Sequence, residues 1–525
     1  MKILISDPIE QQCVDILKSN GFEVDVKTGL PAAELKKIIG EYAGLLVRSS
    51  TKVTAEIIGA ATNLRIIGRA GAGVDNIDTP AATRRGIIVM NTPGGNTIST
   101  AEHTMSLMLS LARNIAQADL SMKKGEWKRK DYVGVELYEK TLGVLGVGKV
   151  GKEVAIRAMS FGMKVLAYDP LLSPDAAKAL GFELVDVDTL VKRSDFITVH
   201  TPLIPETKGI LGERAFANCK RGVRIINCAR GGIVDEKALL DALNAGIVGG
   251  AALDVYESEP PGATPLVSHP RVIATPHLGA STEEAQEKVA IQIAYQVSDA
   301  LLGKGIVGSV NADVITSASR ADIQPYLMLA ERLGSLAVQL MDGTMSSLTL
   351  RAHGAKLAES APALSAAFFK GMLAGRLEEE INYINAPVIA KERGMHLAFD
   401  RDHDHELYAD LLTVKYETEK EKRTFSGTIF GNAGMRLVRI DGFAVDAVLE
   451  GHILFYSNID RPGVVARVSS ILAEAGVNIA GMSLGRYGQG GNALTMMAVD
   501  TQISQNVLGK ISRVDGLLGV KTVIL

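Results

Sequence analysis

The six residues Gly146-Val147-Gly148-Lys149-Val150-Gly151 constrain this chain more than any other stretch. They follow the apolar run Thr141-Leu142-Gly143-Val144-Leu145, open a helical pattern, and precede a second apolar run, Lys164 to Tyr168, that ends at Asp169. Glycines at these offsets permit a tight turn and close backbone approach to a pyrophosphate, while the helix N-terminus supplies N–H donors and positive potential. A carboxylate at the end of the next strand accepts hydrogen bonds from ribose hydroxyls and repels a 2′-phosphate, which favours NAD over NADP. A glycine turn merely packed on a helix is the plainer alternative. The strand, helix and acidic residue around this motif supply the context that dinucleotide binding requires.

The same alternation of short apolar runs and helical patterns begins at Ile3-Leu4-Ile5, with a helix expected from Glu10 to Ser19 and further runs at Gly44-Leu45-Leu46-Val47 and Arg65-Ile66-Ile67-Gly68. It resumes after Thr141 and continues through Phe196 to Val199, Arg224 to Asn227 and Gly250 to Leu253. Such runs bounded by turns predict two parallel α/β blocks within roughly the first 310 residues. Helices expected from about Ser99 to Lys124 and from Thr282 to Leu302 would carry the chain between the blocks. After Gly303-Lys304-Gly305, the segment Thr316-Ser317-Ala318-Ser319 introduces another α/β-looking region with no catalytic motif. The last segment reads strand, helix, strand, strand, helix, strand, a ferredoxin-like order.

A chain of 525 residues accommodates three or four domains at about 150 residues each. Its net charge of -3 gives no general attraction to nucleic acid or an anionic membrane. Cys13, Cys219 and Cys228 are too few and too far apart for a zinc site or a disulfide framework, so no metal is expected and a reducing cytoplasm is the natural compartment. The apolar stretch at the N-terminus is too short for a signal peptide, and no run of 18 apolar residues is present. Asp402-His403-Asp404-His405 reads as a solvated loop more readily than a metal site.

Nicotinamide chemistry needs a group that moves a proton while the ring takes a hydride. His277, in Thr275-Pro276-His277-Leu278-Gly279-Ala280, follows the apolar run Val272-Ile273-Ala274, and ligands of open α/β sheets bind beyond strand carboxyl ends. Glu259, in Glu257-Ser258-Glu259-Pro260-Pro261, could fix the imidazole tautomer and stabilise its charged form. Arg230, just beyond another strand, could bind a substrate carboxylate bidentately. Singly, each also reads as a loop histidine, a solvated glutamate and a surface arginine, and spacing does not choose between these readings.

GVGKVG together with "HTPLIPETKGIL" from His200, "NCARGGIVDE" from Asn227, "ALDVYESEPP" from Ala252 and "TPHLGAST" from Thr275 resembles the D-2-hydroxyacid dehydrogenase family. "LLVRSSTKVT" around Arg48, "GRAGAGVDNID" around Arg69 and "NTPGGNTIST" around Asn96 resemble its long-form 3-phosphoglycerate dehydrogenase branch. The resemblance implies a Rossmann-like NAD domain (99–285) inserted in a flavodoxin-like substrate domain (1–98 and 286–310), then an α+β intervening domain (311–450) and a ferredoxin-like ACT domain (451–525). It implies NAD-dependent oxidation of 3-phosphoglycerate, the first step of the phosphorylated serine pathway. His277 would take the C2 hydroxyl proton, Glu259 would hold the other imidazole nitrogen, and Arg230 would bind the carboxylate. Gly146, Gly148, Lys149, Val150, Gly151 and Asp169 would contact the adenosine and pyrophosphate half of NAD. Thr201, Cys228 and Asp254 would lie near the nicotinamide half, and Ala229, Arg230, His277, Gly279 and Ala280 would also bind the cofactor. Arg48, Arg69 and Asn96 would bind substrate, and Arg129 would be offered to a neighbouring subunit's site. Some relatives carry a threonine at Ala72; that hydroxyl is absent here, so any contact there comes from backbone.

"YSNIDRPGVVARVSSILAEAGVNIAGM" resembles an ACT domain. The resemblance implies an L-serine effector held between paired ACT domains by Asn458, Asp460, Asn478 and Ile479, and a homodimer or homotetramer, with neither nucleic acid nor membrane as partner. Serving assembly alone is the plainer reading of that domain. Two alternatives to the leading function stay open: a relative that acts on glyoxylate, hydroxypyruvate or 2-oxoglutarate, and a non-enzymatic NAD-sensing protein resembling corepressors of the family.

Overall fold

The structure is a computed structural model that describes residues 1–312, 320–377, 379–402, 407–431 and 434–525. His403, Asp404 and His405, and the Thr316-Ser317-Ala318-Ser319 segment, lie outside the described residues. Continuous apolar runs suit parallel strands, which are buried on both faces. Lys2–Ile5 is flanked by Glu23–Val26 and Gly44–Val47, with Ile66–Arg69 and Ile88–Met90 beyond, all parallel. Numbered along the chain, their order is 2-1-3-4-5, that of flavodoxin-like sheets.

The second sheet has seven parallel strands. Thr141–Leu145 lies centrally, with Lys164–Tyr168 and Glu183–Leu184 on one side and Phe196–Val199, Val223–Asn227, Val248–Leu253 and Val272–Ala274 on the other. This is the doubly wound dinucleotide-binding order, with its switch point beside Thr141–Leu145. The helix Glu283–Leu301 begins where the Thr282 hydroxyl accepts the Ala285 N–H, and it returns the chain to the first sheet. There Val289, Ile293 and Val297 share a core with Ile3, Ile5, Leu46 and Ile66.

One expectation needs correction. The helix foreseen from Ser99 to Lys124 is two helices, Thr97–Arg113 and Ile115–Lys123, because Asn114 takes a left-handed conformation with φ 53°. Asparagine visits that region more readily than other residues bearing a Cβ, so its short polar side chain permits a break that apolar periodicity does not reveal. Met105, Met108 and Leu111 of the first helix pack with Val144 and Ile226 of the second sheet.

The C-terminal half holds a six-stranded mixed sheet and a four-stranded antiparallel one. In the latter, His452–Ile459 lies between Leu517–Ile524 and Asn492–Val499, and Ile479–Arg486 forms the outer edge. Period-2 alternation gives that sheet two apolar faces. Leu454, Tyr456 and Met497 meet the helix Val464–Glu474 through Val468 and Leu472. Ile453, Phe455, Leu494, Met496 and Val523 join the core of the six-stranded sheet, built on the helix Gln324–Leu340. The last two sheets therefore share one core. This unit meets the first sheet through Arg84, which contacts Glu379 at 2.5 Å and Glu392 at 2.7 Å, and through Asn382 Nδ2 donating to the Gly86 carbonyl at 2.9 Å. Among the described residues no helix is long and apolar enough to cross a membrane.

Two outcomes follow from this packing. Arg84→Ala should leave the melting temperature nearly unchanged, since partly exposed ion pairs contribute about 1 kcal/mol or less, while hydrogen exchange speeds up in the segment 379–392. His200, beneath the glycine loop, has its imidazole 2.9 Å from the Thr198 hydroxyl, and burial pushes its pKa from 6.5 down to about 4. The folded state thus binds fewer protons than the unfolded chain between those values. Stability from this group is complete above pH 6.5 and is lost as the pH falls toward 4, so thermal midpoints of His200→Gln should fall less steeply over that window than those of the wild type.

Candidate active site

The carboxyl ends of both parallel sheets face one cleft of ≈ 450 Å³. His277 follows the strand Val272–Ala274 and takes φ 55°, an uncommon conformation for a residue with a Cβ. The buried Asp254 holds the residues after it: Oδ1 accepts the Leu278 N–H at 2.7 Å and the Thr275 hydroxyl at 2.6 Å, and Oδ2 accepts the Gly279 N–H at 2.8 Å. From the opposite side, the hydroxyls of Ser99 and Thr100 donate to the Gly279 carbonyl at 2.8 and 3.1 Å. Burial raises the Asp254 pKa, but hydrogen bonds from His103, Thr275 and Leu278 outweigh it and hold the carboxyl below its ordinary range.

So positioned, His277 Nδ1 lies 2.8 Å from Glu259 Oε2, while the other Glu259 oxygen accepts the Tyr256 N–H at 3.2 Å. A carboxylate at Nδ1 favours the N–H tautomer there and leaves Nε2 free to accept a proton. Arg230 follows the strand Val223–Asn227; Asn227 shapes its turn by accepting the Ala229 N–H and donating to the Arg230 carbonyl. Its Nη1 donates to the Ala229 carbonyl at 2.7 Å, and its Nε faces Asp75 at 3.1 Å.

The first sheet supplies two more guanidinium groups. Buried Asp7 accepts the backbone N–H groups of Arg48 and Thr51 at 2.6 and 3.1 Å. Asn76 donates to the Arg48 carbonyl and accepts from Arg69 Nε at 2.8 Å each, tying both arginines to one side chain. Burial lowers the Arg69 pKa; Asp75 opposes this, and Arg230 and Arg48 add to it. Like charges are thus gathered where an anion would relieve them. Asn96 and Ala280 complete the lining, and the Ala72 carbonyl accepts from Asn91.

The glycine loop fits a dinucleotide. Gly146 has φ +91° and a Cβ there would lie 2.8 Å from the His200 carbonyl, while a Cβ on Gly151 would collide with the Gly146 carbonyl. Gly148 instead faces open space, where a side chain would fill the cradle. Asp169 Oδ2 accepts the Val147 N–H at 2.8 Å, which brings its carboxylate against the loop. Lys149 and Val150 start the helix Lys149–Ser160, and Lys149 Nζ reaches the Pro93 carbonyl at 3.2 Å. The Thr201 hydroxyl is buried without a partner, so a polar ligand group would satisfy it. Cys228 is buried, and burial pushes its thiol up to about 12, far from a reactive thiolate.

Not every residue singled out from the sequence meets at this cleft. Arg129 lies on an exposed turn outside it. Asn458 and Asp460 lie at one end of the four-stranded sheet, where Asp460 pairs with Arg486 at 2.9 Å and the Asn458 Oδ1 is buried without a partner. Asn478 and Ile479 lie at the other end, since both Ile479 and His452 pair with Val499 while Ile459 pairs with Asn492; there Asn478 donates to Asp500 at 2.7 Å. A single copy does not bring the four together. Conversely, Asp7, Asn76 and His103 support the cleft without having been singled out. Asp7 lies just beyond the strand Lys2–Ile5 and Asn76 sits in "GVDNID", both readable hints, whereas His103 sits in a plain helical pattern.

Comparison with known proteins agrees with this architecture. Residues 105–279 match the D-isomer specific 2-hydroxyacid dehydrogenase NAD binding domain, 322–441 the D-3-phosphoglycerate dehydrogenase intervening domain, and 452–516 the ACT domain. The chain is 44% identical to the D-3-phosphoglycerate dehydrogenase of Synechocystis sp. over 100% of its own length and 95% of the relative's. It is also 44% identical to that of Archaeoglobus fulgidus, over 99% of each. A glyoxylate reductase structure from Paecilomyes thermophila matches 59% of this chain and 98% of its own, with a TM-score of 0.54 and 30% identity. A D-lactate dehydrogenase from Aquifex aeolicus, complexed with NAD and lactic acid, matches 58% of this chain and 96% of its own, with a TM-score of 0.51 and 30% identity. The chain belongs to the D-3-phosphoglycerate dehydrogenase family, as an NAD-dependent oxidoreductase with an intervening domain and an ACT domain.

Proposed function

We propose that the protein oxidises 3-phospho-D-glycerate to 3-phosphohydroxypyruvate, and that Arg230, Glu259 and His277 carry the reaction. The observation that supports this most strongly is the His277–Glu259 pair at 2.8 Å, facing a cleft that also holds Arg48, Arg69 and Arg230. The chemistry a bound NAD supplies is acceptance of the C2 hydride. His277 Nε2 takes the C2 hydroxyl proton, and Glu259 stabilises the imidazolium that results. Arg230 binds the carboxylate and polarises the forming ketone, while Arg48 and Arg69, with Asn96, hold the phosphate end of the substrate. Gly146, Gly148, Gly151, Lys149 and Asp169 hold the dinucleotide, and Thr201 offers its hydroxyl to the nicotinamide half.

The structures named for glyoxylate and lactate match 59% and 58% of the chain, and the three arginines of the cleft favour an acid with a second anionic group. Cytoplasmic residence is part of this proposal, as is a homodimer or homotetramer in which Arg129 serves a neighbouring site. L-Serine feedback is another part: two copies of the ACT domain, set so that Asp460 of one faces Asn478 of the other, would enclose serine, whose ammonium would displace Arg486 from Asp460.

NADH formation with 3-phosphoglycerate should exceed that with D-glycerate, D-lactate or 2-hydroxyglutarate; equal turnover of an unphosphorylated acid would refute the assignment. His277→Ala should lower kcat by about 10²- to 10⁴-fold while NADH binding, read by fluorescence, persists. Asp460→Ala should abolish inhibition by serine without altering the uninhibited rate, and a wild-type enzyme indifferent to millimolar serine would remove the feedback proposal alone.

A further inference from the structure

Asp75 stands in the cleft with no role in the reaction just described. It belongs to the loop between the strand Ile66–Arg69 and the helix Thr79–Arg84, and its side chain is 72% exposed while its Oδ2 lies 3.1 Å from Arg230 Nε. The pair lies across Gly73: a Cβ there would collide with the Arg230 guanidinium and come within 2.7 Å of the Asp75 carboxylate. Asp75 also opposes the charge of Arg69. Glu259, the other carboxylate lining the cleft, is engaged by His277 and the Tyr256 N–H. Among the described residues lining the cleft, Asp75 is therefore the carboxylate available to Arg230 and Arg69, and it occupies the Nε side of the Arg230 guanidinium.

We propose that Asp75 is a built-in stand-in for the substrate carboxylate, one that holds Arg230 until substrate displaces it. This rests on the role proposed above for Arg230. Two carboxylates at one guanidinium edge repel each other, so binding exchanges one carboxylate for another at Arg230 and gains little there. That exchange is the same for every 2-hydroxy acid, so Asp75 sets the strength of carboxylate binding at Arg230 and not the choice among acids. Asp75 is a positioning residue, and its exposure lets it swing clear without disturbing the core.

The test uses the full-length enzyme, Asp75→Asn, and Asp75→Glu, which keeps the carboxylate. Calorimetry reads oxalate binding to the NADH complex without turnover, and steady-state assays read KM and kcat for 3-phosphoglycerate and D-glycerate. Removing a largely exposed competing charge should tighten oxalate binding and lower KM by about two- to fivefold in Asp75→Asn. D-Glycerate and 3-phosphoglycerate should gain alike in kcat/KM, since each makes the same exchange at Arg230, and Asp75→Glu should stay near wild type. Oxalate binding that is unchanged or weaker in Asp75→Asn overturns the proposal. Failure of the wild type to oxidise 3-phosphoglycerate would defeat the proposed function instead, and the oxalate comparison would still decide the role of Asp75.

Discussion

The cleft depends on one buried carboxylate. Asp254 directs both of its oxygens into the turn after the strand Val272–Ala274, receiving the amides of Leu278 and Gly279 and the hydroxyl of Thr275. A histidine at φ 55° relaxes unless its neighbours over-determine it, and the Ser99 and Thr100 hydroxyls close the clamp on Gly279 from the hinge side. Both hydroxyls belong to the helix that starts at Thr97, where the chain crosses from the first sheet to the second. His277, for which we propose the proton transfer, is thereby tied to the junction of the two sheets. The cost of burying Asp254 is offset by the four donors around it, including His103, which is why the carboxyl stays charged.

A parallel arrangement on the first sheet orients the anion-binding groups. Asp7 fixes the backbone of Arg48, and Asn76 joins Arg48 to Arg69. The two long side chains thus project from a rigid frame into space shared with Arg230 of the second sheet. Each sheet contributes what the other lacks: the proton-transfer pair comes from one, and most of the positive charge comes from the other.

The C-terminal half is connected to that machinery by a short route. Its two sheets share a core. That unit touches the rest of the chain at Arg84, in the helix Thr79–Arg84, whose N-terminus is capped by Asp78 at the end of the loop carrying Asp75 and Asn76. A charged contact with the C-terminal unit thus lies at one end of a six-residue helix, and the loop carrying Asp75 and Asn76 lies at the other.

Local sequence determined a good deal. Gly146, Gly148 and Gly151 between a strand and a helix specify a dinucleotide turn, because a Cβ at the first or last of them would meet backbone. Short apolar runs specified most strands of the two parallel sheets, though not Glu23–Val26, Ile88–Met90 or Glu183–Leu184, and the alternation of elements specified the ferredoxin-like end. The break at Asn114 escaped because a single left-handed residue leaves the apolar period intact. Tertiary structure decided what spacing leaves open: that His277 meets Glu259, that Arg48, Arg69 and Arg230 face one another, and that Asp75 stands among them. It also decided that Asp460 and Asn478 lie at opposite ends of one sheet. The physical reason is the same in each case. Periodicity reports only which way a side chain faces on its own element, whereas meeting across elements depends on sheet order, register and the buried carboxylates that hold the loops between them.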